Sequence, residues 1–331
     1  MIETYGYARA GLLGNPSDGY FGKTLSFAMS NFRARVLLYP SGRLEIKPSK
    51  VDLPVFENLD DLYRITRWRG YYGGIRIIQA LIVRLVDYCR AQGIELPDRN
   101  FTLEYESSVP QRLGLGGSSA IITASLRALC RYYELNISLP VQANLVLETE
   151  TRELNVPAGL QDRVVQAYQG LVYMDFSREL MEAHGHGNYE HLDVGLLPNI
   201  YVAYRTSLSE GTEVFHNNLR ERWHRGDPEV VQAMKTWAGY AEEGRACLLS
   251  RDYTRLDQLI DANFDLRAKI YKIDRGNLEM VHTARTTGAS ANFAGSGGAI
   301  VGTYKDDQSF EQLKQAMAPI GVAVIRPKVV T

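Results

Sequence analysis

The chain has 331 residues, of which 45% are hydrophobic and 23% are charged. Its 37 Lys and Arg residues nearly balance its 38 Asp and Glu residues, so the formal net charge is −1. This length and composition predict a globular protein of about two domains, and the lack of a basic excess makes nucleic acid a poor candidate partner.

The cysteines and the hydropathy pattern indicate a cytoplasmic protein. Cys89, Cys130 and Cys247 are far apart and form no C-x-x-C pair, which is typical of buried thiols in a reducing compartment. The first twenty residues lack a cationic segment followed by an apolar one, and no run of about 18 apolar residues predicts a membrane span. We therefore expect no membrane partner, while the sequence leaves the oligomeric state open.

The first hundred residues combine short strand-like segments with glycine-containing turns. Residues 33–39 and 42–47 predict a hairpin joined at Pro40-Ser41-Gly42. Residues 75–91 carry apolar side chains at helical spacing, and residues 101–105 alternate apolar with polar side chains, as in a half-buried strand.

Helices and strands then alternate up to a linker-like segment. We predict helices from about 118 to 133 and from about 140 to 154, followed by a strand at 170–175. Glycine and histidine alternate over residues 184–188, so we place a domain boundary near residue 190. The predicted domains are residues 1–190 and 191–331.

The second half repeats the mixture of helix and strand. A strand at 200–204 precedes two long helices at 229–249 and 253–273, and a third helix ends near residue 287. The chain closes with a strand at 322–325. This alternation predicts an α+β fold in both halves.

A glycine-serine turn between a predicted strand and a predicted helix is the strongest chemical signal. Gly114, Gly116 and Gly117 remove side chains, so that backbone N–H groups can approach an anion. The next helix opens with Ser118 and Ser119, where unpaired N–H donors and the helix dipole favour phosphate. Glycine-rich turns of this kind also occur for purely structural reasons, so phosphate binding and a structural turn both remain open.

Two common nucleotide motifs do not fit this turn. A P-loop requires lysine, which the turn lacks, and a dinucleotide fingerprint meets Ser119 where its last glycine belongs. Upstream, Trp68, Tyr71 and Tyr72 could stack on a base, although core packing is the commoner role of such a cluster.

Acidic residues follow on the second helix and beyond it. Glu150 and Glu153 are i,i+3 neighbours, whereas Glu148 points elsewhere on an ideal helix. These carboxylates could bind a metal that neutralises phosphates, or they could form a solvated helix face. Asp162 lies in a turn-rich segment beside Arg163, where a catalytic carboxylate and a helix N-cap are both reasonable roles.

Two further segments favour close backbone approach or polar recognition. Residues 288–299 contain four glycines and four alanines, which suits the approach of a ligand or of another loop, and a tight hairpin turn explains this composition almost as well. Residues 9–22 combine a strand with a turn rich in Asn, Ser, Asp and Tyr, whose side chains can bind sugar hydroxyls or simply build the turn.

Taken together and in this order, these segments resemble the GHMP kinase superfamily, and most closely its glucuronokinases. The family pattern P-x-x-x-G-L-G-S-S-A is matched with glycine in place of the first serine, by Pro110, Gly114, Leu115, Gly116, Gly117, Ser118, Ser119 and Ala120. The supporting stretches are Gly11 to Gly22, Ala158 to Val164, Leu171 to Ser177 and Phe293 to Ala299. The resemblance covers nearly the whole chain.

The resemblance implies a two-domain α+β fold, with an N-terminal domain like ribosomal protein S5 domain 2 and a ferredoxin-like C-terminal domain. It implies ATP as co-substrate, bound by Pro110 and residues 114–120. It also implies Mg²⁺ bound by Ser118, or by Ser119 if the register shifts, together with Glu150. Asp162 matches the catalytic aspartate, and Arg9 matches the basic residue of the first segment.

For the acceptor, the resemblance implies a small sugar acid, D-glucuronate, phosphorylated at its anomeric hydroxyl. Asp162 would accept or orient the proton of that hydroxyl, while Arg9 would lower its pKa and stabilise developing charge. The candidate substrate-binding residues are Asn15, Asp18, Tyr20, Arg163, Gly295 and Gly297. The carboxylate needs a guanidinium, for which Arg163 is the first candidate and Arg35 the second.

Three alternatives stay open. Another GHMP kinase would keep Asp162 and act on a different sugar or on a mevalonate- or homoserine-type alcohol. A sensor would bind ATP and sugar without catalysis. An NAD-dependent enzyme is the third alternative, and comparing NADH with MgATP for a shift in thermal stability distinguishes it.

Overall fold

The structure is a computed structural model that describes residues 1–49, 52, 73–205 and 219–331. The aromatic residues Trp68, Tyr71 and Tyr72 lie outside this set. Two compact units are present, and two long strands, β1 (Ile2–Leu13) and β2 (Lys23–Pro40), run through both. The first unit comprises Met1–Gly6, Arg33–Ser108 and Gly117–Ala158, and the second comprises Tyr7–Phe32, Val109–Gly116 and Gly159–Thr331.

In the first unit, the second half of β2 pairs with β4 (Phe101–Ser107) in antiparallel register. The short strand β3 (Glu45–Lys47) pairs in parallel with β4 and not with β2. The predicted hairpin is therefore wrong, because β4 lies between its two arms. A strand of three residues offers few ladder hydrogen bonds, whereas the longer β4 pairs with β2 over seven positions.

Three helices cover this part of the sheet. Helix α1 (Gly74–Ala91) buries the stripe Ile77, Ile78, Leu81, Leu85 and Cys89 and packs on α2 (Gly117–Tyr132). Helix α3 (Leu139–Glu148) continues into a π-helical turn, Thr149–Glu153. The predicted helix of residues 140–154 thus contains a change of helical pitch that its composition does not reveal.

In the second unit, the first half of β2 pairs with β5 (Leu171–Asp175), and β5 pairs with β6 (Asn188–Leu192), both in antiparallel register. Helix α4 (Gln161–Tyr168) leads into β5, and α5 (Arg178–His184) joins β5 to β6. The domain boundary expected near residue 190 falls inside β6, and the division into 1–190 and 191–331 stays a prediction.

A second sheet of the same unit contains β7 (Ile200–Arg205), β8 (Asn292–Phe293), β9 (Ala299–Thr303) and β10 (Val322–Ile325). Its strand order, β10-β7-β9-β8, is antiparallel throughout. Helices α8 (Tyr253–Ile270) and α9 (Arg275–Thr286) are among those between β7 and β8 in the chain, and α10 (Asp307–Met317) lies between β9 and β10. This split β-α-β topology confirms the expected ferredoxin-like arrangement.

Five helices are described in this part of the chain, and four of them begin at an aspartate N-cap. They are α6 (Leu219–His224), α7 (Pro228–Ser250), α8 (Tyr253–Ile270), α9 (Arg275–Thr286) and α10 (Asp307–Met317). Asp252 and Asp274 accept N-cap hydrogen bonds from the first turns of α8 and α9. Among the described residues, none of the helices is both long enough and apolar enough to cross a membrane.

Candidate active site

Arg9 of β1 and Asp162 of α4 form the centre of a charged cluster in the second unit. The Arg9 Nε and Nη2 atoms each lie 2.6 Å from Oδ1 of Asp162. Nη1 of Arg9 donates to the carbonyl oxygens of Gly114 and Ala294, both at 2.6 Å. The guanidinium is 5% exposed, so these bonds hold it in one orientation against the carboxylate.

The neighbouring guanidinium of Arg163 completes the pairing of Asp162. Its Nη1 lies 3.2 Å from Oδ2 of Asp162 and donates to the carbonyl of Gly159 at 2.9 Å. Burial raises the pKa of Asp162, but the charges of Arg9 and Arg163 outweigh it and leave that pKa below its ordinary value. Asp162 is therefore an ionised carboxylate at neutral pH.

The position of Asp162 in its helix excludes one alternative role. Residue Leu160 is the N-cap of α4, and no side chain caps it. Asp162 is the second residue of the helix, where a negative charge also interacts favourably with the helix dipole. The N-cap interpretation of Asp162 is wrong, because the helix begins one residue before the aspartate.

Asp18 lies in the short 3-10 helix Ser17–Tyr20 and approaches the start of α4. Its Oδ2 accepts a hydrogen bond from the backbone nitrogen of Gln161 at 3.1 Å. A Cβ on Gly159 would lie 2.1 Å from the same oxygen, so a larger residue there would require the Asp18 carboxylate to move. Burial, with a contribution from the charge of Asp162, raises the pKa of Asp18. Asp18 and Asp162 thus belong to one cluster with opposite pKa shifts.

Two glycine-rich segments meet backbone to backbone in the same unit. A Cβ on Gly295 would lie 2.1 Å from the carbonyl oxygen of Gly114, and a Cβ on Gly114 would lie 2.6 Å from the Ser296 nitrogen. Gly114, Gly116 and Gly297 also have positive φ angles of 62°, 75° and 129°. Of the uses considered for residues 288–299, the structure shows an approach to another loop at Gly295 and a hairpin formed by β8 and β9.

The rest of the glycine-serine segment opens a helix in the first unit. Gly117 is the first residue of α2, and Ser118, Ser119 and Ala120 follow in its first turn. Ser118 is half-buried, whereas Ser119 is 1% exposed and Ala120 is fully buried. Pro110 and Leu115 belong to the preceding loop of the second unit, where the Leu115 carbonyl accepts a bond from the Arg9 nitrogen at 3.1 Å.

Ser118 meets Glu150 within the first unit. The Ser118 hydroxyl donates to Oε1 of Glu150 at 2.7 Å, and Glu150 is 1% exposed. The solvated-face alternative is therefore wrong for Glu150. A hydroxyl and a carboxylate supply the oxygen ligands that Mg²⁺ prefers, so the two residues fit the metal that the sequence implied.

The π-helical turn explains why Glu150 points inward. Glu148 and Glu153 both pair with Arg84, at 2.9 Å and 3.7 Å. They are five residues apart, which is the hydrogen-bond spacing of a π-helix. The expected grouping of Glu150 with Glu153 is wrong, because the wider turn aligns Glu153 with Glu148 and leaves Glu150 facing Ser118.

Two other residues predicted to bind substrate contact other side chains and backbone groups of the protein. Asn15 is 3% exposed and donates to the carbonyl of Phe293 at 3.1 Å, within a buried network that includes Asn263 and Asn292. The ring of Tyr20 packs edge-on against Trp223 at 5.3 Å. Substrate contacts by Asn15 and Tyr20 stay predictions, and the described bonds assign Asn15 a part in holding the turn.

Motif order in the sequence does not point to Arg267, which lies 5% exposed on α8. Its Nη1 donates to the carbonyl of Gly295 at 2.7 Å, and burial lowers its pKa. A sequence signal was present, because Arg267 continues the buried stripe Leu256, Leu259, Ile260, Asn263 and Phe264 of an amphipathic helix. A charged residue at a core-facing helical position is unusual enough to mark a functional candidate.

Comparison with known proteins agrees with the sequence resemblance. Residues 80–170 match the model of the GHMP kinases N-terminal domain. Two Arabidopsis thaliana proteins, "Probable glucuronokinase 2" and "Glucuronokinase 1", are 45% and 44% identical to the chain, and each match covers 91% of this chain and 84% of the relative. The crystal structure of Lactococcus lactis galactokinase complexed with galactose superposes with a TM-score of 0.77 at 15% identity, over 99% of this chain and 93% of that one. The extent and identity of the Arabidopsis matches establish that the chain belongs to the GHMP kinases.

Proposed function

We propose that the chain is a sugar 1-kinase that transfers the γ-phosphoryl group of ATP to the anomeric hydroxyl of D-glucuronate. The observation that carries this proposal is the 45% identity to an Arabidopsis relative named as a glucuronokinase, over 91% of the chain. The Arg9–Asp162 cluster supports it independently, because phosphoryl transfer requires a fixed carboxylate near the acceptor hydroxyl and a cation near developing charge.

Asp162 orients the acceptor in this proposal. Its lowered pKa makes it a weak base, so it holds the hydroxyl by accepting a hydrogen bond and takes the proton late, as the bond to phosphorus forms. An early proton acceptor is not required, because the phosphoryl group transfers through a loose transition state and the anomeric hydroxyl is more acidic than an ordinary alcohol. Arg9 lies against the same carboxylate and stabilises negative charge that develops on the acceptor oxygen.

The nucleotide phosphates are assigned to the glycine-serine segment. In the first unit, the backbone N–H groups in the first turn of α2 are suited to bind phosphate oxygens. In the second unit, the positive φ angles of Gly114 and Gly116 give a loop backbone of the kind that approaches an anion closely. Ser118 and Glu150 would hold Mg²⁺, and the bound ion would neutralise charge on the phosphates. The pairing of Ser118 with Glu150 favours Ser118 over Ser119 as the metal ligand.

The test is ATP consumption by the purified chain with a panel of acceptors: D-glucuronate, D-galacturonate, D-galactose, D-glucose and mevalonate. We expect D-glucuronate to have the highest kcat/KM, and we expect the product to lose its reducing end, since the phosphate occupies C1. Turnover of mevalonate with no uronic acid would support another GHMP kinase activity and refute this substrate. MgATP binding without turnover of any acceptor would support the sensor alternative.

A further inference from the structure

Arg267 is a buried cation whose hydrogen-bonding capacity is largely unused. Within the described residues, its guanidinium donates one hydrogen bond, from Nη1 to Gly295, and Nε is buried without an acceptor. No described carboxylate lies within ion-pair distance of it. The rings of Phe293 and Tyr271 lie 5.3 and 5.8 Å from its Cζ atom and hold the guanidinium by cation–π contact.

A buried guanidinium without a counter-ion at ion-pair distance is costly, since it loses hydration and gains little from a more distant charge. Stability alone therefore does not explain an arginine at this position. The other buried arginines of the cluster, Arg9 and Arg163, both pair with Asp162. Arg267 differs from them in lacking such a partner among the described residues, which indicates that an anion from outside the chain completes its environment.

The position of Arg267 identifies which part of a ligand it would meet. Consecutive carbonyls of one loop hold two guanidiniums, Ala294 that of Arg9 and Gly295 that of Arg267. Asp18 also lies close enough to Arg267 to interact with it electrostatically. Arg267 thus lies near the proposed acceptor residues. It binds the carbonyl next to the one that binds Arg9, the arginine assigned to the reacting hydroxyl.

We infer that Arg267 binds the carboxylate of the sugar acid and determines the preference of the enzyme for a uronate over a neutral sugar. The inference rests on the proposed function. In a pyranuronate, the anomeric hydroxyl and the carboxylate are on the two carbons that flank the ring oxygen. A single ring can therefore present its hydroxyl to Arg9 and Asp162 and its carboxylate to Arg267.

This assignment replaces the two arginines suggested by the sequence. Arg163 is already bound to Asp162 and to the carbonyl of Gly159. Arg35 is a partly exposed residue of the first unit and pairs with Glu3 and Glu106. Both arginines thus already have carboxylate partners within the protein.

The experiment compares D-glucuronate with D-glucuronamide, which has the same shape and no charge at C6. We expect the unmodified enzyme to favour glucuronate in kcat/KM by about 100-fold, since a neutral amide leaves the buried guanidinium without a counter-charge. Arg267→Met should reduce that ratio to near one with an unchanged KM for ATP, and Arg267→Lys should restore part of it. Arg255→Met, on the exposed side of the same helix, is the matched control and should keep the ratio.

The outcomes separate this inference from the proposed function. If the unmodified enzyme phosphorylates glucuronate and glucuronamide equally, or if Arg267→Met keeps the full preference, the inference is refuted and the proposed function stands. A raised KM for ATP in Arg267→Met, with both acceptors slowed equally, also refutes it and places Arg267 at a phosphate. No turnover of glucuronate by the unmodified enzyme refutes the proposed function itself. Folding of Arg267→Met is checked by thermal unfolding, and its Tm should not fall, because an uncompensated buried charge is removed.

Discussion

The Arg9–Asp162 cluster of the second unit and the Ser118–Glu150 pair of the first unit differ in the partner that each carboxylate has. Asp162 lies between two guanidiniums, which lower its pKa and keep it ionised. Glu150 meets a neutral hydroxyl instead, at 2.7 Å. The first arrangement balances the charge of Asp162 within the chain and is suited to orient a neutral hydroxyl, as the proposed function requires. The second supplies oxygen ligands and is suited to a cation that arrives with the nucleotide.

The largest effect on activity is expected when Asp162 is replaced. Asp162→Asn keeps the shape of the side chain and removes the charge that binds Arg9 and orients the hydroxyl. We expect kcat to fall by about 10²–10⁴-fold, with little change in ATP affinity measured by calorimetry. Asp307→Asn, at an exposed ion pair with Arg326, is the control and should keep full activity. Normal turnover by Asp162→Asn would remove Asp162 from the mechanism.

A smaller effect is expected at Glu150. Glu150→Gln removes one charged oxygen ligand, so we expect about a 10- to 100-fold loss of activity and a higher Mg²⁺ concentration for half-maximal rate. The control is Glu153→Gln on the same π-helical turn, whose carboxylate faces Arg84. Equal Mg²⁺ requirements in the two variants would contradict the metal assignment.

A substitution at Gly159 tests whether Asp18 contributes to binding of the acceptor. In Gly159→Ala the new Cβ would lie 2.1 Å from Oδ2 of Asp18, so that carboxylate must move. We expect the KM for the acceptor to rise about tenfold, while the KM for ATP is unchanged. Gly239→Ala is the control, because its Cβ meets no atom within 4 Å. An unchanged acceptor KM would separate Asp18 from substrate binding.

The smallest effect concerns the pH dependence of stability, where Asp18 and Asp162 should act in opposite directions. The raised pKa of Asp18 contributes stability at low pH that is lost as the pH rises through that pKa. The lowered pKa of Asp162 contributes stability at neutral pH that is lost as the pH falls through that pKa. Asp18→Asn should therefore raise Tm at pH 7, by no more than about 2 °C, and leave it unchanged at pH 3. Thermal unfolding at the two pH values measures this, and a lower Tm at pH 7 would contradict the assigned shift.

Local signals in the sequence predicted most elements well. The helical spacing of residues 75–91 corresponds to α1, and the alternation at residues 101–105 corresponds to β4. The strand predicted at 322–325 coincides with β10. Pairing between strands was less predictable, since β3 joins β4 in preference to its neighbour in sequence. Strand pairing depends on contacts between distant residues, which periodicity does not record.

The candidate site was also predictable only in part. Motif order was sufficient to select Arg9, Asp162, Ser118 and Glu150, and the structure brings Arg9 to Asp162 and Ser118 to Glu150. The inward direction of Glu150 depends on a π-helical turn that follows α3 without a break in composition. Packing in the first unit sets the helical phase at that point. The prediction assumed an ideal helix and therefore wrongly grouped Glu153 with Glu150.

The sequence by itself determined the family and the α+β class and named candidate residues for phosphoryl transfer, because these depend on short motifs and local periodicity. The tertiary structure decided which buried arginine of the cluster has no carboxylate partner among the described residues. Arg163 is adjacent to Asp162 in sequence and is neutralised by it, whereas Arg267 is far away in sequence and reaches the same loop as Arg9. Charge pairing is a property of distances in space, and only the folded chain establishes them.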